Sequence, residues 1–286
     1  MQPSHRSTIT SVFASIVVSL ASLVTIGTSP ASAVSTVPKA TGGVELGTTL
    51  QYMSFSAFDQ TPAKGSVTYT NFDYSTPGSG VWSFTAGETM KLSFVIGGNT
   101  YVHSMMVTSR DALSPNTLAF GASGYYLPDT NYTWTANGLI QGTSFTMSLM
   151  YTGVGAGYSL VMNGTIASDG SIAGTESYGT TNDYGTWSAP AGSAFEAFSY
   201  TAPVTCASVT EATTNAPGTA RFGYTIPTNA PALVGTPVVF SVVDGGTPGT
   251  SGDLVTYGYG SGVNPSTCTG TMSASQTVIG GNLVVH

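Results

Sequence analysis

From about residue 50 onward the chain alternates apolar and polar residues, and this period of two constrains the fold more than any other feature. Three runs show it clearly: Met90 to Ile96, Phe145 to Tyr151 and Tyr158 to Met162. No window sustains the 3.6-residue period of an amphipathic helix. Alternation of this kind places one side chain in a core and the next in water, so the sequence predicts an all-β protein built from antiparallel sheets.

Turn residues separate these runs at the spacing of hairpins. Asn137-Gly138 and Asp169-Gly170 match tight two-residue turns, and Gly97-Gly98 interrupts another pair of runs. Roughly eight to ten strands fit between residues 50 and 192 by this criterion. Sequential hairpins in this number predict an N-terminal antiparallel up-and-down barrel or curled sheet over residues 49–195, since closure removes exposed strand edges.

A second unit is predicted over residues 203–286. It begins at the Ala202-Pro203 junction, and Val238–Val243 is apolar on both faces, as a strand in the middle of a sandwich would be. Six or seven short runs in this stretch predict a small C-terminal β-sandwich. Cys206 and Cys268 are the two cysteines of the chain, and in an oxidising compartment they are expected to form a disulfide.

The first residues have the pattern of an export signal. His5 and Arg6 precede an apolar run from Val12 to Ile26, which Ala31-Ser32-Ala33 follows as a cleavage site. We therefore expect a signal peptide over residues 1–33, a flexible leader over 34–48 and a secreted, extracellular protein. No later stretch is apolar enough for a membrane-spanning helix, so no integral membrane segment is expected after cleavage.

Charge limits the classes of partner. Only 7% of residues are charged and the formal net charge is −7, against about 25% charged residues in an average protein. Because phosphates would be repelled, nucleic acid is not an expected partner. No cofactor is expected either, and zinc is not expected because no paired His or Cys spacing occurs.

Two regions resemble known families. Gly80-Val81-Trp82 and Gly185-Thr186-Trp187 frame residues 80–190, which resemble the lipocalin-like and avidin-like barrels, in which a Trp closes one end. Residues 203–286 resemble a small C-terminal β domain of exported actinobacterial proteins. The likeness rests on a V-x-D-x-G-x-P-G…G-D loop from Val242 to Asp253. This second resemblance implies fold and location but carries no activity.

Aromatic residues supply the candidate binding site. Trp82, Tyr101, His103 and Trp134 are the residues we expect to contact a ligand, since an aromatic cavity of low charge suits a small apolar or carbohydrate molecule. Asp244 and Asp253 flank the glycine-rich loop of the second unit and are weak candidates for calcium ligands. No residue is singled out as catalytic.

Three functions stay open at this point. The leading hypothesis is a secreted, non-enzymatic β protein that binds a ligand or attaches to a surface. The first alternative is a secreted hydrolase that uses His103 or a carboxylate pair, chosen from Asp73, Glu88, Glu176, Asp183 and Glu196. The second is a pore-forming protein that inserts a β-hairpin such as residues 143–167.

Overall fold

The computed structural model describes residues 37–285, apart from 48–49, 179–180, 215, 231, 247–251, 273–274 and the side chains of 181–183. The predicted signal peptide lies outside the described residues. The described chain contains no α-helix, only a short 3-10 turn at Gly260–Gly262. Its strands, in chain order, are β1 (Lys39–Leu46), β2 (Gln51–Phe58), β3 (Lys64–Ser75), β4 (Trp82–Ser83), β5 (Thr89–Ile96), β6 (Asn99–Ser114), β7 (Thr117–Tyr126), β8 (Asp129–Gln141), β9 (Ser144–Tyr151), β10 (Ser159–Ile166), β11 (Ile172–Tyr178), β12 (Thr181–Ala189), β13 (Phe195–Pro203), β14 (Cys206–Thr210), β15 (Gly218–Thr225), β16 (Pro237–Asp244), β17 (Leu254–Tyr259), β18 (Val263–Asn264), β19 (Thr269–Gly270) and β20 (Ser275–Val285).

Strands β5 to β12 form a closed eight-stranded antiparallel barrel. Each strand pairs with the next along the chain, and β12 returns to β5 through the pairs Thr186–Val95 and Ser188–Ser93. The all-β fold class and the up-and-down barrel predicted from the alternation are therefore confirmed. Closure leaves no barrel strand with an unpaired edge.

The alternating residues divide between the barrel interior and the solvent. Phe145, Met147 and Leu149 of β9 are buried, whereas the intervening Thr146 and Ser148 are exposed. The predicted turn at Asn137-Gly138 is wrong: both residues lie inside β8. Gly138 is required there for space, because a Cβ at this position would overlap the Phe120 ring of β7. The predicted turn glycines Gly98 and Gly170, by contrast, have positive φ.

One end of the barrel is filled by the segment that leads into β5. The Phe84 ring lies 5.1 Å from that of Phe120 and 6.2 Å from that of Phe145. Arg110 of β6 holds this segment, since its Nη1 donates to the Phe84 carbonyl at 2.7 Å and its Nη2 to Asp73 at 2.6 Å. Phe84 is fully buried, so this end is closed by packed side chains.

Ten further strands form a second sheet, which contains both β1 and β20, the first and last described strands. Its order is β14-β15-β16-β17-β20-β1-β2-β3-β13-β4. β1 lies in its middle, paired with β2 on one side and with the C-terminal β20 on the other. Residues 39–46 of the segment predicted as a flexible leader are thus a paired strand, because Ala40, Val44 and Leu46 bury their side chains in this sheet's core.

The strand pairing divides the chain between the two sheets at positions other than the predicted domain boundaries. The barrel strands run from residue 89 to 189, whereas β2 and β3, within the predicted barrel unit of 49–195, pair in the other sheet. The strands of 203–286 share this sheet with them. The sheet curls until distant strands meet across one core: the rings of Phe55 on β2 and Phe222 on β15 stack at 4.8 Å.

The predicted disulfide is confirmed. Cys206 at the start of β14 and Cys268 between β18 and β19 are bonded, with their Cα atoms 5.7 Å apart. The bond ties the edge strand of the ten-stranded sheet to the segment before β20. Among the described residues, no helix has the length and apolar character needed to cross a bilayer.

Candidate functional site

The barrel end opposite Phe84 encloses a cavity of about 560 Å³, which we call the cup. The turns at Gly97-Gly98 and Leu127-Pro128 and the segment 152–158 surround its mouth. Its walls are almost entirely aromatic or aliphatic. The lining residues are Phe94, Ile96, Tyr101, His103, Tyr126, Asp129, Tyr132, Tyr151, Gly155, Tyr158, Leu160, Tyr178 and Tyr184.

The strands themselves place these side chains at the cup. On β9 the inward positions continue from Leu149 to Tyr151, and on β11 they continue from Ile172 to Tyr178. Along β9, Met147 and Leu149 lie inside the barrel and Tyr151 follows at its open end. Rings of neighbouring strands touch along the wall: Tyr158 and Tyr178 are 5.6 Å apart and Tyr178 and Tyr184 are 5.8 Å apart.

His103 lies in the wall of the cup, and its ring is hydrogen-bonded to a tryptophan of a nearby strand. The Trp134 indole Nε1 donates to His103 Nδ1 at 3.1 Å. The indole reaches across β7 because Gly124 lies between the two strands, where a Cβ would overlap the ring. Burial lowers the pKa of His103 to about 4, so the imidazole is neutral at neutral pH. Because Nδ1 accepts this hydrogen bond, the proton of the neutral ring is on Nε2.

Glu176 is a buried carboxylate one inward position before Tyr178. Its side chain is 1% exposed, and neither carboxylate oxygen has a hydrogen-bond partner among the described residues. It occupies space left by Gly185 on β12, where a Cβ would lie 2.7 Å from Glu176 Oε1. Burial raises the pKa of Glu176 to about 7. An unpartnered buried carboxylate is destabilising and is uncommon outside functional sites.

Replacing Glu176 with glutamine is expected to stabilise the folded protein at alkaline pH. The folded state binds this proton more tightly than the unfolded chain, whose glutamate has a pKa near 4.5, so stability falls as pH rises from 4.5 through 7. At pH 8 E176Q should raise the free energy of unfolding by on the order of 2 kcal/mol, a value reduced for screening by water in the open cup. Urea unfolding at pH 4 and pH 8 measures this.

The matched control is Glu88→Gln, which removes the same charge from an exposed position before β5. E88Q should leave the free energy of unfolding within about 0.5 kcal/mol of wild type at both pH values. The two variants should also differ in pH dependence, since only E176Q removes a carboxylate that is buried without a partner. Equal unfolding free energies for E176Q and wild type at pH 8 would contradict the burial assigned to Glu176.

The structure separates the four predicted ligand-binding residues. Tyr101 and His103 line the cup, and Trp134 supports His103 from beneath it. Trp82 lies at the closed end of the molecule, in β4, where it pairs with β13. From the sequence, Glu176 was named only among five acids for a carboxylate pair and was not placed at the binding site. The alternation of β11 could have identified it. Glu176 lies four residues after the buried Ile172, so its side chain points to the same, inward side of the strand.

Four of the five carboxylates named for a hydrolase have described side chains, and these four do not converge. Asp73 pairs with Arg110 at the closed end, and Glu196 accepts hydrogen bonds from the backbone N–H groups of Gly78 and Gly80. Glu88 is exposed, whereas Glu176 is buried beside the cup. The Asp183 side chain lies outside the described residues. The hydrogen bond that the structure gives His103 is with an indole rather than with a hydroxyl nucleophile.

Asp244 and Asp253, the weak calcium candidates, lie together at the base of their loop. Asp244 accepts hydrogen bonds from the N–H groups of Gly246 and Val285, and Asp253 accepts one from Gly245. Three of the four carboxylate oxygens thus bind backbone groups. Within the described part of the chain, no cluster of three or more His, Cys, Asp or Glu side chains is arranged to hold a metal ion.

Comparison of the chain with known protein families, with curated proteins and with solved structures gave no match.

Proposed function

We propose that this protein is a secreted, non-enzymatic binding protein that takes one small, largely apolar or aromatic ligand into the cup. The observation that carries the proposal is a barrel filled at one end by Phe84 and left with an aromatic cavity of about 560 Å³ at the other. Cavities of about 300–1,000 Å³ lined by apolar and aromatic groups are typical of small-molecule sites. Eight-stranded barrels of this kind hold one small ligand in the lipocalins and in streptavidin.

A second aromatic cavity, of about 330 Å³, lies on the ten-stranded sheet and is a weaker candidate. Its buried phenols already satisfy one another, since the hydroxyl groups of Tyr200 and Tyr224 lie 3.0 Å apart. Burial raises the pKa of Tyr200 to about 12, so this pair stays neutral. The cup, in contrast, lies beside a buried carboxylate, Glu176, whose oxygens have no hydrogen-bond partner among the described residues.

Filling the cup with a larger side chain should weaken ligand binding. The probe is N-phenyl-1-naphthylamine, an uncharged dye whose fluorescence rises in apolar surroundings. Leu160 lines the cup and is 7% exposed, so Leu160→Trp places an indole where the dye's rings would lie. We expect wild type to bind the dye with one site per chain and L160W to bind it about tenfold or more weakly, a loss of about 1.4 kcal/mol or more.

Met150→Trp is the control, because Met150 pairs with Ser159 on the neighbouring strand but faces solvent. M150W adds the same ring to the outside of the barrel and should bind the dye as wild type does. If L160W and M150W bound the dye equally well, the dye would lie elsewhere and the proposal would fail. An absence of saturable binding to wild type would also refute it.

A further inference from the structure

The cup has aromatic walls and an acidic residue, Asp129, at its rim, but no lysine or arginine among its lining residues. Lys91 and Arg110 are the only lysine or arginine residues between 89 and 189. Lys91 is exposed on the outside of β5, and Arg110 is engaged at the closed end with Asp73 and the Phe84 carbonyl. Neither is available to the carboxylate or phosphate of a ligand, so the cup is unsuited to anions.

The tyrosine rings provide a surface that attracts cations. Four consecutive strands each contribute one tyrosine to the cup: Tyr101 on β6, Tyr126 on β7, Tyr132 on β8 and Tyr151 on β9. The faces of such rings carry negative electrostatic potential, and groups of them are the usual means of binding quaternary ammonium ions. The rings are close enough to form a continuous wall, with Tyr126 6.2 Å from Tyr101 and 6.3 Å from Tyr132.

Glu176 places a buried carboxyl group next to this wall. Its carboxylate lies beside two residues that line the cup. The first is Tyr151, whose pKa is raised in part by the charge of Glu176. The second is Ile96, whose Cγ1 lies near Glu176 Oε1 in the space that Gly185 leaves open. Glu176 is 1% exposed, and none of the described residues gives its carboxylate a hydrogen-bond partner. A cation in the cup would neutralise this carboxylate.

We infer that the ligand of the cup is an organic cation, an ammonium group attached to an apolar or aromatic body, with the ammonium directed toward Glu176. This inference rests on the proposed function and specifies its ligand class. The tyrosine faces surround the charged group, the body fills the apolar mouth, and Asp129 at the rim contributes a second negative charge. The net charge of −7 favours the approach of a cation.

Binding should depend on pH between 6 and 8, where the Glu176 carboxyl loses its proton. The other ionisable side chains known to line the cup are His103, Asp129 and the tyrosines Tyr101, Tyr126, Tyr132, Tyr151, Tyr158, Tyr178 and Tyr184. The pKa of His103 is lowered to about 4 and that of Tyr151 is raised to about 12, so neither changes charge in this range. With a Glu176 pKa near 7, the affinity for a permanent cation should rise about tenfold from pH 6 to pH 8.

A pair of isosteric probes tests the inference. Phenyltrimethylammonium carries a permanent charge, and tert-butylbenzene has the same shape without it. Each is titrated against wild type loaded with N-phenyl-1-naphthylamine, and displacement of the dye is measured at pH 6 and pH 8. We expect the cation to displace the dye at a concentration at least about tenfold lower than the hydrocarbon at pH 8, with the ratio falling at pH 6.

In E176Q the preference for the cation should fall about tenfold at pH 8 and lose its pH dependence, while the control E88Q behaves as wild type. Equal displacement by both probes, or an unchanged preference in E176Q, would overturn the inference. In either case the dye itself would still bind in the cup, so the proposed function would stand. Failure of wild type to bind the dye would instead refute the proposed function.

Discussion

Replacing Phe84 with alanine is expected to lower the free energy of unfolding by about 3–5 kcal/mol, the usual range for a buried phenylalanine. Phe84 is fully buried and its ring packs edge-on against Phe120 and Phe145, so truncation leaves a cavity where the barrel is closed. Urea unfolding followed by tryptophan fluorescence measures the effect well. All three tryptophans of the chain lie in the same hydrophobic core as Phe84.

Tyr259→Ala is the control for this variant, since Tyr259 is 64% exposed at the end of β17. It should change the free energy of unfolding by less than about 1 kcal/mol. Phe84→Leu keeps most of the apolar volume and should lose less than F84A, which covers the case in which the alanine variant does not fold. If F84A were as stable as wild type, Phe84 would not close the barrel.

Removal of the disulfide is expected to have an effect of similar size on the other sheet. Cys206 and Cys268 are separated by 62 positions, and a crosslink over such a loop contributes about 4 kcal/mol in the chain-entropy description. The double variant Cys206→Ser, Cys268→Ser should therefore lose about that much free energy of unfolding. Denaturant titration followed by far-ultraviolet circular dichroism, under non-reducing conditions, measures the loss.

Wild type under reducing conditions provides the matched comparison, because it loses the crosslink without any change of sequence. Reduced wild type and the double serine variant should unfold at similar denaturant concentrations, and dithiothreitol should not affect the serine variant. Equal stability of oxidised wild type and the double variant would show that the bond contributes nothing to the folded state. Circular dichroism is the suitable probe of this loss of stability, because it reports on every strand, including those outside the barrel where the disulfide lies.

Local sequence information was sufficient for the strands but not for their partners. The alternation in β5, β9 and β10 predicted which side chains enter the barrel, and Gly170 marked a true turn. The pairing of β1 with β20 joins strands more than 200 residues apart, and no local pattern specifies a contact over that separation. This is why residues 39–46 read as a leader although they form the middle of a sheet.

The Asn137-Gly138 prediction failed for a related reason. An Asn-Gly pair is typical of a tight turn. A glycine also occurs inside a strand, where an aromatic ring from a neighbouring strand occupies the space that a side chain would fill. Gly138 serves the second purpose beneath Phe120, and Gly124 does so beside Trp134. The single chain does not distinguish these uses, because the ring that decides between them lies on another strand.

For the candidate site, the types of residue in the sequence indicated an aromatic cavity, but their positions along the chain did not show which of them would lie together. Tyr101 and His103 were identified from their aromatic surroundings, and both line the cup. Trp82 was grouped with them because of its chemistry, yet it lies toward the opposite end of the barrel. Glu176 required knowledge of the barrel: an acid at an inward position is notable only once the interior is known to be closed on all sides by paired strands.

The most direct test of the account is a nuclear magnetic resonance titration of protein with labelled tyrosine rings by N-phenyl-1-naphthylamine. The two tyrosine-rich cavities make the result decisive. We predict chemical-shift changes for the cup tyrosines, among them Tyr126, Tyr132 and Tyr151, and none for Tyr200 and Tyr224 of the ten-stranded sheet. Changes confined to Tyr200 and Tyr224, or no changes at saturating dye, would contradict the assignment of the cup as the binding site.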